Sequence, residues 1–422
     1  MSAVGGATGS GPGGMRRDPA SQRPLDWVIV GGGLHGVHAA IRLVAEGGLD
    51  PDRLLIVDPA PSLFERWRNR TRSMAMSYLR SPAVHNLGPS PDSLQRFAGR
   101  RRDRQLGLFA QPYERPALEL FDRHCDDLVA RFGLAARHLR ATVVALRPSA
   151  EQVSVTTGDG RTLQARRALL ATGPGAPAPR PAWAAGLGDR VSQVLEPGYR
   201  WQAVSAGERV LVVGGGMTAV HTALRLAGAG AAVDLVSRHD LRTVQFDTDP
   251  GWLGPKFMAR FERTLDLGRR RAHIDTARRR GSVTPELKLA LAPHLRAGAI
   301  HWRTDEVKGA ATAAEGARID LASGGTLQVQ RVVLGTGFAP EPPSSGLVAT
   351  LAEQAGLPTS PCGFPVVDRA LRWHPRVHVS GGLAELELGP TARNIAGARR
   401  ACDRILNELE AEHRSTGVRQ AI

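Results

Sequence analysis

The sequence predicts an α/β protein built from two Rossmann-like dinucleotide-binding domains, three-layered, with an irregular loop region for a substrate. Two glycine-rich turns predict it, each directly after an apolar run of strand character. Trp27-Val28-Ile29-Val30 leads into Gly31-Gly32-Gly33-Leu34-His35-Gly36, and Val210-Leu211-Val212-Val213 leads into Gly214-Gly215-Gly216-Met217-Thr218-Ala219. A further sign is that each unit closes on a Thr-Gly exit, Ala171-Thr172-Gly173 and Gly335-Thr336-Gly337-Phe338. One such turn is weak evidence. Two, each between a strand and a helix, imply two nucleotide cofactors held face to face, the plan of a flavoprotein reduced by a nicotinamide.

In chain order, residues 1–24 are rich in Gly, Ser, Ala and Pro and read as a disordered leader without the apolar stretch of a signal peptide. Residues 25–178 form a first, FAD-binding part. Its helix over Leu34 to Ala45 stops at Gly47-Gly48, and a buried strand over 54–57 ends in Asp58. Residues 61–97 read as an irregular, functional loop. Strands follow over 141–146 and 153–157, with a hairpin at Gly158-Asp159-Gly160. Residues 179–206 read as a linker, 207–338 as an NADPH-binding domain, and 339–422 as a return to the first domain. That return holds one strand over 377–380 and a long helix from about Thr391.

Composition bounds the rest. With 422 residues, two or three domains are expected. No apolar run reaches the ~18 residues of a membrane span, so no membrane partner is expected. The formal net charge is +15, yet the only lysines are Lys256, Lys288 and Lys308. Arginine dominance looks like coding bias, and the positive field suits an NADPH-sized anion. Arg269-Arg270-Arg271 and Arg278-Arg279-Arg280 lack interleaved aromatics, so they read as a solvated helical face and no nucleic-acid partner is expected. Cys125, Cys362 and Cys402 are isolated, which fits a reducing cytoplasm and argues against a disulfide framework. His124-Cys125-Asp126-Asp127 does not converge on one point of a helix, so no metal is expected.

The glycines define the cofactor sites. Gly31 permits the tight turn, Gly32 and Gly33 let a pyrophosphate approach, and Gly36 brings the helix close to the sheet. The helix N-terminus offers free amides to phosphate. Asp58 is placed to accept hydrogen bonds from a ribose. In the second unit, Gly214, Gly216, Met217 and Thr218 take the corresponding roles. The next strand ends in Ser237-Arg238, which suits a 2′-phosphate and so NADPH, and Thr336 lies at the exit. Gly382 and the segment Gly389-Pro390-Thr391 form a third candidate, a helix N-terminus facing the flavin pyrimidine.

With these parts the sequence resembles the class B flavoprotein monooxygenases, specifically the lysine and ornithine N-hydroxylase-like group. Met74-Ala75-Met76-Ser77-Tyr78-Leu79-Arg80 is similar to that group's M-x-x-S-F-L-K segment beside the flavin, and Trp67 matches a tryptophan shortly before it. The resemblance implies that Trp67 and Met74 adjoin FAD and that Arg80, with Ser81 beside it, anchors an anionic substrate group or the nicotinamide amide; the structural alternative is a tie from Arg80 to a carboxylate within the fold. Departures are visible. Ser81-Pro82 stands where the family carries an acid, His221 replaces a glutamate, and Gln193 lies near where related enzymes place a histidine.

The implied reaction uses FAD, NADPH and molecular oxygen to oxygenate a small molecule, most readily at an amine nitrogen, through a flavin C4a-(hydro)peroxide. No side chain beyond the candidate Arg80 is assigned a catalytic role. Two readings compete on the same residues: an FAD/NADPH oxidoreductase or oxidase without oxygen insertion, and a non-catalytic nucleotide-binding protein. The oligomeric state is left open, a homo-oligomer included.

Overall fold

The computed structural model describes residues 25–99, 107–197, 199 and 201–420. The expected leader lies outside the described residues.

The apolar runs become the centres of two sheets. Leu25–Val30 pairs in parallel with Leu54–Asp58 on one side and Thr162–Leu170 on the other, with Val28 opposite Leu55 and Ala168. Val28, Ile29 and Ile56 are fully buried, as expected of a parallel sheet covered on both faces. Among the described residues this sheet has eight strands. Val143–Pro148 pairs antiparallel with Val153–Thr157, which turns at Gly160 (φ 85°) to pair antiparallel with Thr162–Leu170. Val377–Val379 joins it parallel, next to Thr162–Leu170, and Arg372–His374 lies outside that strand. The C-terminal part therefore completes the first sheet.

The second sheet is parallel throughout, in the order Ile300–Thr304, Ala232–Ser237, Arg209–Val213, Arg331–Leu334, Val191–Gln193. Its edge strand Val191–Gln193 lies in the stretch expected to be a linker. A strand of 3 residues is too short to show periodicity, so no pattern announces it.

Helices cover both sheets. Leu34–Ala45 forms as expected and packs on the terminal helix, Ile41 and Leu43 sharing a core with Cys402 and Ile405. The stretch over 61–97 is not wholly irregular: it holds the helices Glu65–Ser73 and Ser93–Gly99. Glu65–Ser73 has one aromatic and no aliphatic side chain, so no apolar stripe announces it. The terminal helix is Ile395–Gln420, starting four residues later than expected. Before it, Ala392 N–H donates to Gly389 O and Asn394 N–H to Thr391 O in successive tight turns. Gly397 fits under them, since a Cβ there would lie 2.3 Å from Ala392 O. No described helix is long and apolar enough to cross a membrane.

The arginine triplets are only in part a solvated face: Arg269, Arg279 and Arg280 are exposed, whereas Arg270, Arg271 and Arg278 turn inward. Arg271 Nη1 donates to Glu385 Oε1 at 2.6 Å, Arg393 Nε donates to Glu385 Oε2 at 2.7 Å, and Arg278 lies 3.7 Å from the same carboxylate. Arg270 Nη1 donates to Glu387 at 2.8 Å. Glu385 is 1% exposed and needs this many cations to stay charged. Burial opposes its ionisation, but Arg393 and Arg271 more than offset that and hold its pKa below the ordinary carboxylate range. Trp252 is a core wedge, packed on Phe257 and Phe261.

Candidate cofactor and active site

The two fingerprint loops share a backbone design. Gly31 (φ 118°) and Gly214 (φ 141°) hold a conformation that side-chained residues rarely adopt. A Cβ on Gly31 would lie 2.3 Å from Ala171 O, and one on Gly214 would lie 2.6 Å from Gly335 O. Each turn therefore closes against the Thr-Gly exit of its own unit. At the third glycine position the two diverge. A Cβ on Gly36 would lie 1.9 Å from Gly31 O, whereas the second unit carries Ala219 and gains its clearance from Gly335.

What lies above each loop decides what it can bind. Nothing stands within 4 Å of a Cβ built on Gly33, so the N-terminus of the Leu34–Ala45 helix faces open space. Its first amides have no intrahelical acceptor and no side-chain cap. At Gly216 the same direction meets the Cα of Gly281 at 3.4 Å. A cover formed by Gly281 and the short strand Ser282–Val283, paired with Arg242–Thr243, lies over the second loop.

The open side is a cavity of about 530 Å³. One end is lined by Asp58, Thr142 and Val143, and the middle by Gly31, Gly32, Gly33 and Thr172. Trp67, Met74, Met76, Gly382 and Asn394 line the rest. Asp58 stiffens the first end by accepting from Gly32 N–H at 2.7 Å and Ala60 N–H at 2.8 Å, and its oxygens keep lone pairs for ribose hydroxyls. One buried polar atom of the wall, Thr172 Oγ1, has no partner within the protein. Buried polar atoms are normally satisfied, so this hydroxyl points to a ligand that completes it. His35 Nδ1 bonds Ser380 Oγ at 2.9 Å, and burial pulls the imidazole pKa down to about 4, leaving it neutral. Trp67 is a fixed side wall, its Nε1 donating to Asp122 at 3.2 Å and its ring edge-on to Phe121. An acid for a ribose, amides for a pyrophosphate and an apolar slot make a wall suited to FAD.

Several expected residues stand elsewhere. Pro390 and Thr391 are absent from this wall; they belong to the buried turn before the terminal helix, and Thr391 Oγ1 accepts from Arg400. Arg393, Asn394 and Ile395 reach the cavity instead. Arg80 and Ser81 line the wall, but the Arg80 fork is committed: Nε donates to Gln245 O at 2.7 Å, and Nη2 to Val244 O at 2.8 Å and Ser282 Oγ at 3.0 Å. The anchor expected for a substrate anion thus ties the first unit to the cover over the second. The carbonyls on that cover had no partner in their own short ladder, and a planar guanidinium satisfies two of them at once.

In the second unit, Met217 packs on the core and Thr218 reaches into the same cavity as the first fingerprint. The Ser237 hydroxyl is occupied, accepting from Trp302 Nε1 at 3.0 Å and donating to His239 O at 2.8 Å. Arg238 is exposed at the strand end, and Thr336 Oγ1 accepts from Gln193. Burial lowers the pKa of His221 to about 4. Sequence reasoning missed His35, Gly281 and Arg70. His35 lies inside the fingerprint itself, and the alternation Arg66, Arg68, Arg70, Arg72 was a visible signal for the last.

The model of the pyridine nucleotide-disulphide oxidoreductase family matches residues 25–251. A ferredoxin–NADP reductase of Leuconostoc citreum is 33% identical over 101 residues, a match spanning 24% of this chain and only 30% of that protein. Two solved structures share the fold at low identity. The FAD-bound cadaverine monooxygenase of Erwinia amylovora superposes with a TM-score of 0.70 at 15% identity, covering 92% of this chain and 95% of that one. The ornithine hydroxylase of Pseudomonas aeruginosa gives 0.69 at 18%, covering 92% and 99%. The double-fingerprint architecture expected from the sequence is thus shared along nearly the whole chain. With its first fingerprint, second fingerprint and the strands between them all inside the matched region, the chain belongs to the pyridine nucleotide-disulphide oxidoreductase family.

Proposed function

We propose that this chain is an FAD-dependent, NADPH-consuming monooxygenase that places one oxygen atom of O₂ on an amine nitrogen of a small molecule. One observation carries the reading: a single cavity is lined both by His35 of the first fingerprint helix and by Thr218 of the second. A flavin in that cavity would meet a nicotinamide at one wall. The fold likeness to the cadaverine and ornithine enzymes supports an amine as the acceptor.

Asp58 and the amides after Gly33 would hold the adenosine and pyrophosphate ends of FAD, and bound FAD supplies hydride acceptance and oxygen activation. Trp67, Met74, Met76 and Leu79 make the ring end apolar and exclude water. Neutral His35 is a fixed part of the cavity wall, its ring held by Ser380 and by the backbone of Arg393 and Asn394. For NADPH to reach Gly216, Gly281 must give way, and exposed Arg238 is then free for a 2′-phosphate. In this reading residues 25–178 and 339–422 carry FAD, residues 207–338 carry NADPH, and the enzyme works in the cytoplasm.

Disulfide chemistry is not favoured by the cysteines. Cys125 and Cys402 are buried, burial pushes the Cys402 thiol up to about 12, and none of the three cysteines lines the cavity. The test is purified protein reduced by NADPH without air, then exposed to O₂ with a panel of diamines and amino acids. The reading expects flavin bleaching followed by a hydroxylamine that appears only with an amine present. Protein that binds no flavin, or whose NADPH turnover no amine alters, would overturn it.

A further inference from the structure

A second cavity, of about 650 Å³, lies beside the first, between the Glu65–Ser73 helix and residues 194–197, 199 and 201. Its wall gathers the guanidinium groups of Arg66, Arg70 and Arg72 from that helix and Arg225 from the Met217–Gly228 helix. The carboxylates in the wall are engaged elsewhere: Glu65 accepts from Ser62 and Asn69, and Glu196 takes the fork of Arg180. Arg225 is fixed by the carbonyls of Arg72 and Ser73 and stacks 4.0 Å from the Trp201 ring.

The other three cations are free. Among the described residues, the side chains of Arg66, Arg70 and Arg72 have no hydrogen-bond or ion-pair partner, whereas Arg42, Arg115, Arg271 and Arg393 are all paired with carboxylates. Arg70 is the most telling. It lines both cavities, with its guanidinium 5.0 Å from the Phe338 ring centroid. Burial, together with Arg66 one helical turn away, pulls its pKa down to about 10. Like charges at this spacing repel, and a low-dielectric wall strengthens that repulsion. An anion between them would turn the cost into charge-assisted hydrogen bonds. Arg80 and Arg393, which also line the flavin cavity, are held by the cover and by Glu385 and cannot serve.

We infer that the second cavity binds the anionic end of a small molecule, a carboxylate or a phosphate, whose other end passes Arg70 into the flavin cavity. That the far end is the oxidised amine rests on the function proposed above; the anion site itself does not.

The experiment is calorimetric titration of the FAD-loaded protein with inorganic pyrophosphate and, separately, with citrate. One anion should bind per chain with the flavin retained, and the tighter of the two probes names phosphate or carboxylate. Arg66→Gln and Arg70→Gln should each weaken binding by about tenfold or more. Arg147→Gln, at an exposed strand position, should not. Because Arg66 is exposed and unpaired, its replacement leaves the fold intact and keeps the test valid if Arg70→Gln misfolds. Absence of binding by both anions, equal binding by the Arg66 variant, or binding only with release of FAD would overturn the inference. An anion that binds as expected to an enzyme whose flavin ignores NADPH would overturn the proposed function and leave the site standing.

Discussion

Arg80 Nη2 donates to Ser282 Oγ at 3.0 Å, joining the cavity of the first fingerprint to the cover over the second. Gly281, the residue that blocks Gly216, immediately precedes Ser282. Lysine at position 80 would keep a charge but lose the fork that reaches Val244 and Gln245 together. Arg80→Lys is expected to destabilise the protein by about 1–3 kcal/mol. Amide exchange at Val244, Gln245 and Val283 should quicken by roughly an order of magnitude, since those bonds open locally. Exchange left unchanged there would mean that Arg80 does not hold the cover.

The glycines of the first fingerprint predict opposite outcomes for one methyl group. A Cβ on Gly36 would sit 1.9 Å from a backbone carbonyl, while one on Gly33 meets nothing within 4 Å. Gly36→Ala should therefore lose several kcal/mol, roughly 3 or more, because helix and strand must separate. Gly33→Ala should keep the melting temperature of the flavin-free protein and weaken FAD binding by at least about tenfold, its methyl standing where the pyrophosphate approaches. Thermal melts and flavin titrations of both variants check the pair. A Gly33→Ala protein that binds FAD normally would remove the pyrophosphate from that loop.

Glu385 tests the ion network under the C-terminal return. Removing its charge leaves Arg271, Arg278 and Arg393 facing one another with their shared carboxylate gone. Glu385→Gln is expected to cost about 3–5 kcal/mol in denaturant unfolding. Its folded pKa is depressed, so its contribution is complete above the ordinary carboxylate range and is lost as pH falls below it. A loss under about 1 kcal/mol would place the network among exposed pairs of little worth.

Acid should weaken the fold earlier, through buried histidines. Burial lowers His38 and His378 to about 3, and His35, His124 and His221 to about 4, from an ordinary 6.5. The unfolded chain then binds more protons between these values, so stability is full above pH 6.5 and falls as pH drops toward 4. Each such group contributes a slope of about 1.4 kcal/mol per pH unit inside the window. Melting temperatures measured from pH 7.5 to 5 should decline, and less steeply in a His38→Gln variant. A flat profile would show that these imidazoles are protonated in the fold.

The parts legible in sequence were those with strong local signals. The Leu34–Ala45 helix, the strand ending at Asp58 and both glycine turns stand where apolar runs and breakers put them. The polar Glu65–Ser73 helix and the three-residue edge strand Val191–Gln193 carry no periodic pattern and were invisible. The largest departures come from tertiary pairing. Arg80, Arg271 and Arg278 look alike as sequence, yet each is claimed by an acceptor more than a hundred positions away. The cover over Gly216 is equally non-local, since nothing near Gly216 in the chain foretells Gly281.

The most direct measurement is oxygen accounting under ¹⁸O₂ with NADPH and an amine that accelerates its oxidation. The account predicts one labelled oxygen atom on the amine nitrogen for each NADPH consumed, with little hydrogen peroxide. All the NADPH electrons emerging as peroxide, and an amine recovered without label, would contradict it.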